Sequence, residues 1–369
     1  MSTRVKSFPP SPDAASVTGT TAAVAPAAVV LRAEIARHPE RHRVLTGDRP
    51  TGPLHLGHYF GTLRNRVALQ DLGVDVLVLI ADYQTIVDRD SPASLPGDVE
   101  ELLADHLAVG IDPARATIFA HSQVPALNQL MLPLLSLASV AELSRNPTVK
   151  EEVASAGIAS MSALLFAYPV HQAADILCCR ATVVPVGADQ LPHLELTRSL
   201  ARRFNRRYCE RDGTLFPIPE PLLDAAPSLL GTDGRKMSKS RGNAIAIGTT
   251  ADQTARLIAG AKTDGERRIT YEPATRPEVS NLVLLAALCL DRSPHDVAAS
   301  VGDNGASALK RLVTDAVNER FAPIRAARTE LIADRVYLRD VLRAGSERVR
   351  EIAAETLALV HERIHAVYA

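Results

Sequence analysis

Residues 44–58 read Val44-Leu45-Thr46-Gly47-Asp48-Arg49-Pro50-Thr51-Gly52-Pro53-Leu54-His55-Leu56-Gly57-His58, and this stretch decides the architecture. A short apolar run, a turn rich in glycine and proline, and a helix predicted from about His55 to Leu72 make one strand–turn–helix unit. Backbone N–H groups at such a helix start are free, and the dipole there favours an anion. His55 and His58 lie three apart, share one helix face and can both point at a phosphate chain. Gly57 removes a side chain where a flat ring could approach the backbone. Two histidines at this spacing also fit an ordinary first turn, so the pattern needs a second motif before it reads as a nucleotide site.

Lys236-Met237-Ser238-Lys239-Ser240 is that second motif. It lies between Gly234 and Gly242 and reads as a mobile loop, with Lys236 and Lys239 as candidates for phosphate contacts and Ser238 and Ser240 as hydroxyl donors. Arg235 and Arg241 flank it, and four cations within seven residues repel unless an anion joins them. A solvated charged turn is the plain alternative. Such a loop suits a reaction that expels pyrophosphate, in which negative charge builds on the leaving oxygens.

Outward from β-like Val44–Thr46, the pattern predicts strands at Val74–Ala81, Thr117–Ala120 and Thr182–Val186, with a helix over Val99–Val109. The unbroken apolar run of the second strand is typical of a parallel sheet covered on both faces. The fold class is therefore α/β, a doubly wound (Rossmann-like) parallel sheet that binds ligands at the carboxyl ends of its strands. Beyond about Ala251 only helical spacing remains. The expected division is a weakly ordered extension over 1–40, a catalytic domain over 41–250 and a helical domain over 251–369. The first 26 residues, rich in Ser, Thr, Ala and Pro, read as a disordered tail, with a cleaved targeting peptide as the rival.

The 369 residues are 46% hydrophobic and 22% charged, ordinary for a globular protein, and the net charge of −1 confines any nucleic-acid surface to a local patch. The four cysteines have no C-x-x-C pair or metal-ligand spacing, so a zinc site or disulfide framework is not expected and a reducing, cytoplasmic compartment is. No apolar run is long enough to span a bilayer.

Tyr168-Pro169-Val170-His171-Gln172-Ala173-Ala174-Asp175-Ile176 is expected to open a helix, with Pro169 in its first turn. Tyr168, Gln172 and Asp175 fall on one face, and Ala173 and Ala174 leave room beside them for a bulky ligand. The strand Val184–Val186 then leads through Gly187-Ala188-Asp189-Gln190, placing Asp189 for ribose hydroxyls and Gln190 for the second ligand. Singly, each of these polar residues has a mundane surface reading.

Together, YPVHQAADI, VPVGADQ, HLELTR, RNPTVK (145–150), LTGDRPTGPLHLGHYFGTL (45–63) and KMSKS resemble bacterial tryptophanyl-tRNA synthetases, which are class I aminoacyl-tRNA synthetases. The resemblance runs from about residue 43 to the C-terminus and is weakest beyond 250. It implies ATP-dependent formation of tryptophanyl-adenylate, Mg2+ accompanying the nucleotide with no dedicated protein metal site, transfer to tRNA(Trp), and a homodimer. It carries nucleotide contacts onto Arg49, Pro50, Thr51, Gly57, His58, Gly187, Ala188, Asp189 and 236–240. The catalytic candidates are His55, His58, Lys236 and Lys239. An indole offers one N–H donor and no acceptor, so the carboxylate of Asp175 is a fitting partner, with Tyr168, Gln172 and Gln190 completing the L-tryptophan site.

Two departures stand out: many relatives carry histidine where this chain has Gln84, and some carry an aromatic where it has Leu45. Tyrosyl-tRNA synthetases are the nearest rival, but a phenol site usually adds a first-strand tyrosine to meet the substrate hydroxyl, and Leu45 cannot hydrogen-bond. A non-catalytic paralogue should lose the phosphate motifs, which are intact here; a duplicate enzyme that resists tryptophan analogues stays open because of Gln84. The chain has no tryptophan of its own, which could free its synthesis from its own product or reflect chance in an alanine-rich composition. Arg198, Arg202, Arg203, Arg206 and Arg207 could meet tRNA phosphates, or form a solvated face or dimer rim.

Overall fold

The computed structural model describes residues 24–87, 94–146, 162–187, 190–209, 213–223, 229–239 and 241–368. Five strands, β1 (Arg43–Asp48), β2 (Asp75–Ile80), β3 (Ala116–Ala120), β4 (Val183–Val186) and β5 (Glu220–Leu223), form one sheet in the order β3-β2-β1-β4-β5. Every pairing is parallel, with Val44 opposite Val76 and Asp48 opposite Ile80 across β1 and β2. β3 is buried throughout and β2 at every residue but Asp75, as strands covered on both faces must be. The chain builds outward from β1 to β3, then returns to the other side of β1 for β4 and β5. The crevice at that reversal lies beyond the carboxyl ends of β1 and β4.

The helices are α1 (Val24–Arg37), α2 (Arg64–Leu72), α3 (Leu95–Ala108), α4 (Pro125–Leu135), α5 (Val140–Arg145), α6 (Ala163–Cys178), α7 (Leu191–Tyr208), α8 (Ala251–Ala259), α9 (Pro277–Leu290), α10 (Pro294–Val301), α11 (Gly305–Ala333) and α12 (Arg335–Arg363).

Three sequence expectations change and one is refined. Residues 24–40 are ordered: Ile35 is fully buried in the main core, and Arg32 donates to the Leu223 carbonyl at 3.1 Å. Only residues 1–23 of the expected 1–40 extension lie outside the described residues. The predicted helix from His55 to Leu72 runs unbroken over 56–72 but widens into a π-helical turn over Tyr59–Leu63 before α2. Wide turns of this kind often mark functional sites. Helix α6 starts at Ala163, capped by Ser162, whose hydroxyl accepts from the Leu165 N–H. Pro169 is therefore interior, where it withholds a donor from the Leu165 carbonyl.

Finally, the boundary near 250 does not divide the packing. The main apolar core joins Val44, Val76 and Leu102 to Val283, Val313 and Leu338. Helix α12 lies against the outermost strand, β3, so closely that a Cβ on Gly345 would stand 1.9 Å from the Ile118 carbonyl oxygen. Ser346 accepts from the Ala120 N–H at 3.4 Å, and Arg348 bonds Thr117 and Asp75. The strand edge, with its unpaired backbone groups, is thereby covered.

Candidate active site

The ends of β1 and of the helical turn at Leu56–His58 meet the loop at 236–239 around a cavity of about 810 Å³. Asp48, Arg49, Thr51, Leu54, His55, His58, Lys236, Met237, Ser238 and Lys239 line it. Residues more than 180 positions apart in the chain thus share one wall, and that wall is cationic. His58 Nδ1 accepts the backbone N–H of His55 at 3.1 Å, which fixes the Nε2–H tautomer and leaves that donor for a ligand. Burial, reinforced by His58 and Lys239, lowers the His55 pKa to about 3. Burial also lowers His58 to about 4, with Asp48 opposing and Lys239, Arg66 and His106 assisting. Both imidazoles are neutral at pH 7, so they serve as hydrogen-bonding groups and the positive charge comes from Arg49, Lys236 and Lys239.

Asp48 is the one carboxylate among the described residues of the lining. Burial pushes its pKa up, but Arg66 and His106 outweigh that and hold it well below the usual carboxylate range. It is hydrogen-bonded by Arg66, and His106 Nε2 stands 3.3 Å away.

The loop is more firmly tied than two flanking glycines suggest, although Gly234 and Gly242 do adopt φ of +82° and +65°. Asn243, 3% exposed, accepts from the Ser238 N–H at 2.8 Å and donates to Asp233 and to the Lys236 carbonyl. Lys239 Nζ reaches the Gly52 carbonyl at 2.6 Å, closing the loop onto the first motif. Met237 is buried rather than presented. A Cβ on Gly57 would stand 3.0 Å from the His55 ring and 3.6 Å from the Met237 sulfur. The space the glycine frees is taken by the two motifs packing on each other.

The second set of residues is buried and polar. Tyr168 donates to Gln84 Oε1 at 3.0 Å, which ties the α6 face to the end of β2. Asp175, 1% exposed, has its Oδ1 3.2 Å from His121 Nδ1. Burial, and then the charge of Asp82, raises its pKa well above the ordinary value. His121 follows β3 directly and stacks on His171, with ring centroids 4.2 Å apart and planes at 22°. His171 Nε2 lies 3.0 Å from Asn128 Oδ1. Burial lowers the His121 pKa to about 3, with His171 assisting. Asp175 Oδ2, Nδ1 of His171 and Gln172 Oε1 are buried without a hydrogen-bond partner. Unpaired polar groups at this depth are costly, so the arrangement is built for a polar ligand group. Ligand atoms of His121, His171 and Asp175 lie within 4.8 Å of one another, but the two imidazoles are stacked with planes at 22°, and in-plane lone pairs confined to two such offset planes do not meet at one ion.

The sequence profile of the class I tRNA synthetases (W and Y) matches residues 38–322. This chain belongs to that family. Among curated relatives of this synthetase, the tryptophan–tRNA ligase of Clostridium longisporum is 39% identical over 335 residues, 88% of this chain and 97% of the relative. That of Treponema pallidum is 40% identical over 329 residues, covering 87% and 96%. The tryptophanyl-tRNA synthetase of Campylobacter jejuni, solved with ADP and tryptophan, superposes with a TM-score of 0.77 at 30% identity, covering 88% of this chain and 99% of that one.

Within the synthetase, Arg49, Thr51, His55, His58 and Lys236–Lys239 come together, while Pro50 is buried beside them and Gly187 is exposed at the end of β4. Ala188, Asp189 and Ser240 lie outside the described residues. Tyr168, Gln172 and Asp175 share a face of α6 as expected, but Ala173 and Ala174 are fully buried in the core and seat the helix instead of widening a pocket. Gln190, half buried, opens α7. Of the α7 arginines, Arg203 is bidentate to Glu142 and Arg198 meets Glu195 and Glu220; Arg202, Arg206 and Arg207 are exposed. Sequence reasoning missed Asn243, His121 and Asn128. His121 could have been found from the rule that ligands gather at strand carboxyl ends, since it is the first residue after β3.

Proposed function

We propose that the chain is a tryptophan–tRNA ligase that activates L-tryptophan with ATP and transfers it to the 3′ end of tRNA(Trp). The cavity that unites the two phosphate motifs carries this reading, and membership of the family of synthetases for tryptophan and tyrosine supports it. A carboxylate oxygen of the amino acid bonds to the α-phosphorus, the α–β phosphoanhydride bond breaks, and its electron pair leaves on pyrophosphate. Lys236 and Lys239 face that growing negative charge, and the Nε2–H of His58 supplies a neutral donor within the same wall. Asp175 accepts the indole N–H, and Leu45, buried in the same core as α6, offers nothing to a phenol.

Mg2+ fits as an ion carried by the ATP phosphates, where it would neutralise charge. Among the described residues of the cavity lining the one carboxylate, Asp48, is already held by Arg66 and His106. The exposed arginines of α7 and the helices beyond 250 form the tRNA side, the enzyme works as a homodimer, and it resides in the cytoplasm. No helix among the described residues is long and apolar enough to cross a membrane. Pyrophosphate exchange with a panel of amino acids, followed by charging of cognate tRNA, tests the reading. Exchange driven by tryptophan is expected, and exchange driven by tyrosine alone would overturn it.

A further inference from the structure

Helix α3 touches the nucleotide loop at both of its ends through two consecutive residues. His106 Nε2 stands 3.3 Å from Asp48 Oδ2, where the loop leaves β1. Asp105 Oδ2 accepts the backbone N–H of Leu54 at 2.8 Å, one residue before His55. Both α3 side chains are fully buried. The Leu54 carbonyl accepts in turn from the Ile247 N–H at 2.8 Å, and the Leu56 N–H bonds the Ile245 carbonyl at 3.0 Å. The first motif is thus suspended between α3 and the segment that follows the lysine loop.

The other oxygen of Asp105 belongs to a distant helix. Arg328 of α11 donates to Asp105 Oδ1 through Nε at 2.6 Å and to Glu101 through Nη2. A Cβ on Gly248 would stand 3.0 Å from that same Nε, so Arg328 also lies against the segment on which Leu54 rests. Arg335 and Arg339 of α12 extend the contact by sharing Glu100 of α3. A buried carboxylate with one oxygen on the loop backbone and the other on a C-terminal arginine transmits the position of one to the other, because leaving either bond unmade at that depth is costly.

We propose that Asp105 and His106 are positioning residues of the ATP site, and that Arg328 makes the aim of the nucleotide loop depend on how α11 is seated. The inference rests on the reading of the cavity as the ATP site. Its consequence is selective: ATP handling suffers when the linkage is cut, and tryptophan handling does not, since the polar floor around Asp175 stands on α6 and the ends of β2 and β3.

Pyrophosphate exchange by the full-length chain, with ATP and tryptophan varied separately and rates scaled to titrated active sites, tests this for Arg328→Gln, Arg328→Lys and Asp105→Asn. Arg328→Gln is expected to raise KM for ATP by roughly tenfold to a hundredfold, the scale on which a small misplacement of a reacting group acts, while KM for tryptophan stays within about twofold. Arg328→Lys should recover part of the loss, because an ammonium can still meet Asp105. Should Asp105→Asn not fold, the two Arg328 variants carry the test, since that side chain is partly exposed. A lowered melting temperature with unchanged KM for ATP would make the linkage purely structural and overturn the proposal, as would equal rises in both KM values. Lys239→Ala is the control: if it leaves exchange intact, the reading of the ATP site has failed and the inference falls with it.

Discussion

The two ends of the site are built in opposite ways. At the phosphate end the groups are cationic, partly open and held by backbone contacts, with Lys239 on the Gly52 carbonyl and His58 on the His55 N–H. At the amino-acid end they are neutral or acidic, buried and held by one another, with His121 between Asp175 and His171. The contrast follows from what each must bind. A polyphosphate brings its own charge and hydration, so a partly open wall of cations suits it. An indole brings one donor, so discrimination depends on a few polar atoms kept dry and pre-aimed.

Four substitutions and one titration break or sharpen that contrast. Lys239→Ala should slow pyrophosphate exchange by roughly 10²- to 10³-fold, as removal of one charge-stabilising donor does elsewhere, and leave tryptophan binding nearly unchanged. Equal losses for both ligands would erase the division between the two ends. Asp175→Ala should act in the mirror sense, with kcat/KM for tryptophan down by roughly 10² because a buried hydrogen-bonding site has lost its acceptor; the ATP dependence measured alongside should hold. Asn243→Ala removes three contacts of the lysine loop, and at about 1–3 kcal/mol for unsatisfied buried partners the KM for ATP should rise about tenfold. A normal KM would mean that the loop shapes itself without the staple.

A smaller effect is expected at Gln84. Gln84→His trades the acceptor of Tyr168 for an imidazole, so inhibition by an indole-based mimic should shift several-fold, on the scale of one neutral hydrogen bond. Identical inhibition removes any role for Gln84 in analogue selectivity. The pH dependence is gentlest. His55, His58 and His121 have folded pKa values lowered to about 3, 4 and 3, below the ordinary 6.5. The unfolded chain therefore binds more protons in the window between those values and 6.5, and stability rises with pH across it. Stability contributed by these three is complete above about 6.5 and is lost as pH falls toward 4 and then 3. Thermal melts from pH 4 to 8 should show that slope, and it should shrink in His58→Asn. A slope unaltered by that change would assign the acid loss to other groups.

The same contrast explains what could be read from the chain alone. The phosphate end is two contiguous motifs, and their residue types already imply an anion. β2 was legible because a parallel strand covered on both faces leaves an unbroken apolar run, β1 because a short apolar run leads into a turn rich in glycine and proline, and the helical C-terminal part because its spacing is regular. The amino-acid floor draws on the ends of β2 and β3, on α4 and on α6, so no window of sequence contains it. His121 and Asn128 gain meaning only once β3 and α4 are set beside α6. Pro169 misled because its preference for a first turn is statistical, while the Ser162 cap that starts α6 lies next to residues whose pattern is weak. The order of residues 24–40 was hidden by composition: an alanine-rich stretch reads as a tail until Ile35 has a core to enter.

Helix α12 has a consequence for how the molecule comes into being. The strand it covers, β3, leaves the ribosome some 215 residues before the helix begins, the interval between Ala120 and Arg335. Throughout that interval the outer edge of the sheet lacks the cover that α12 gives it. A chain broken off before Arg335 would present a bare strand edge, a surface prone to aggregation and open to chaperones, which α12 closes through Gly345 and Ser346.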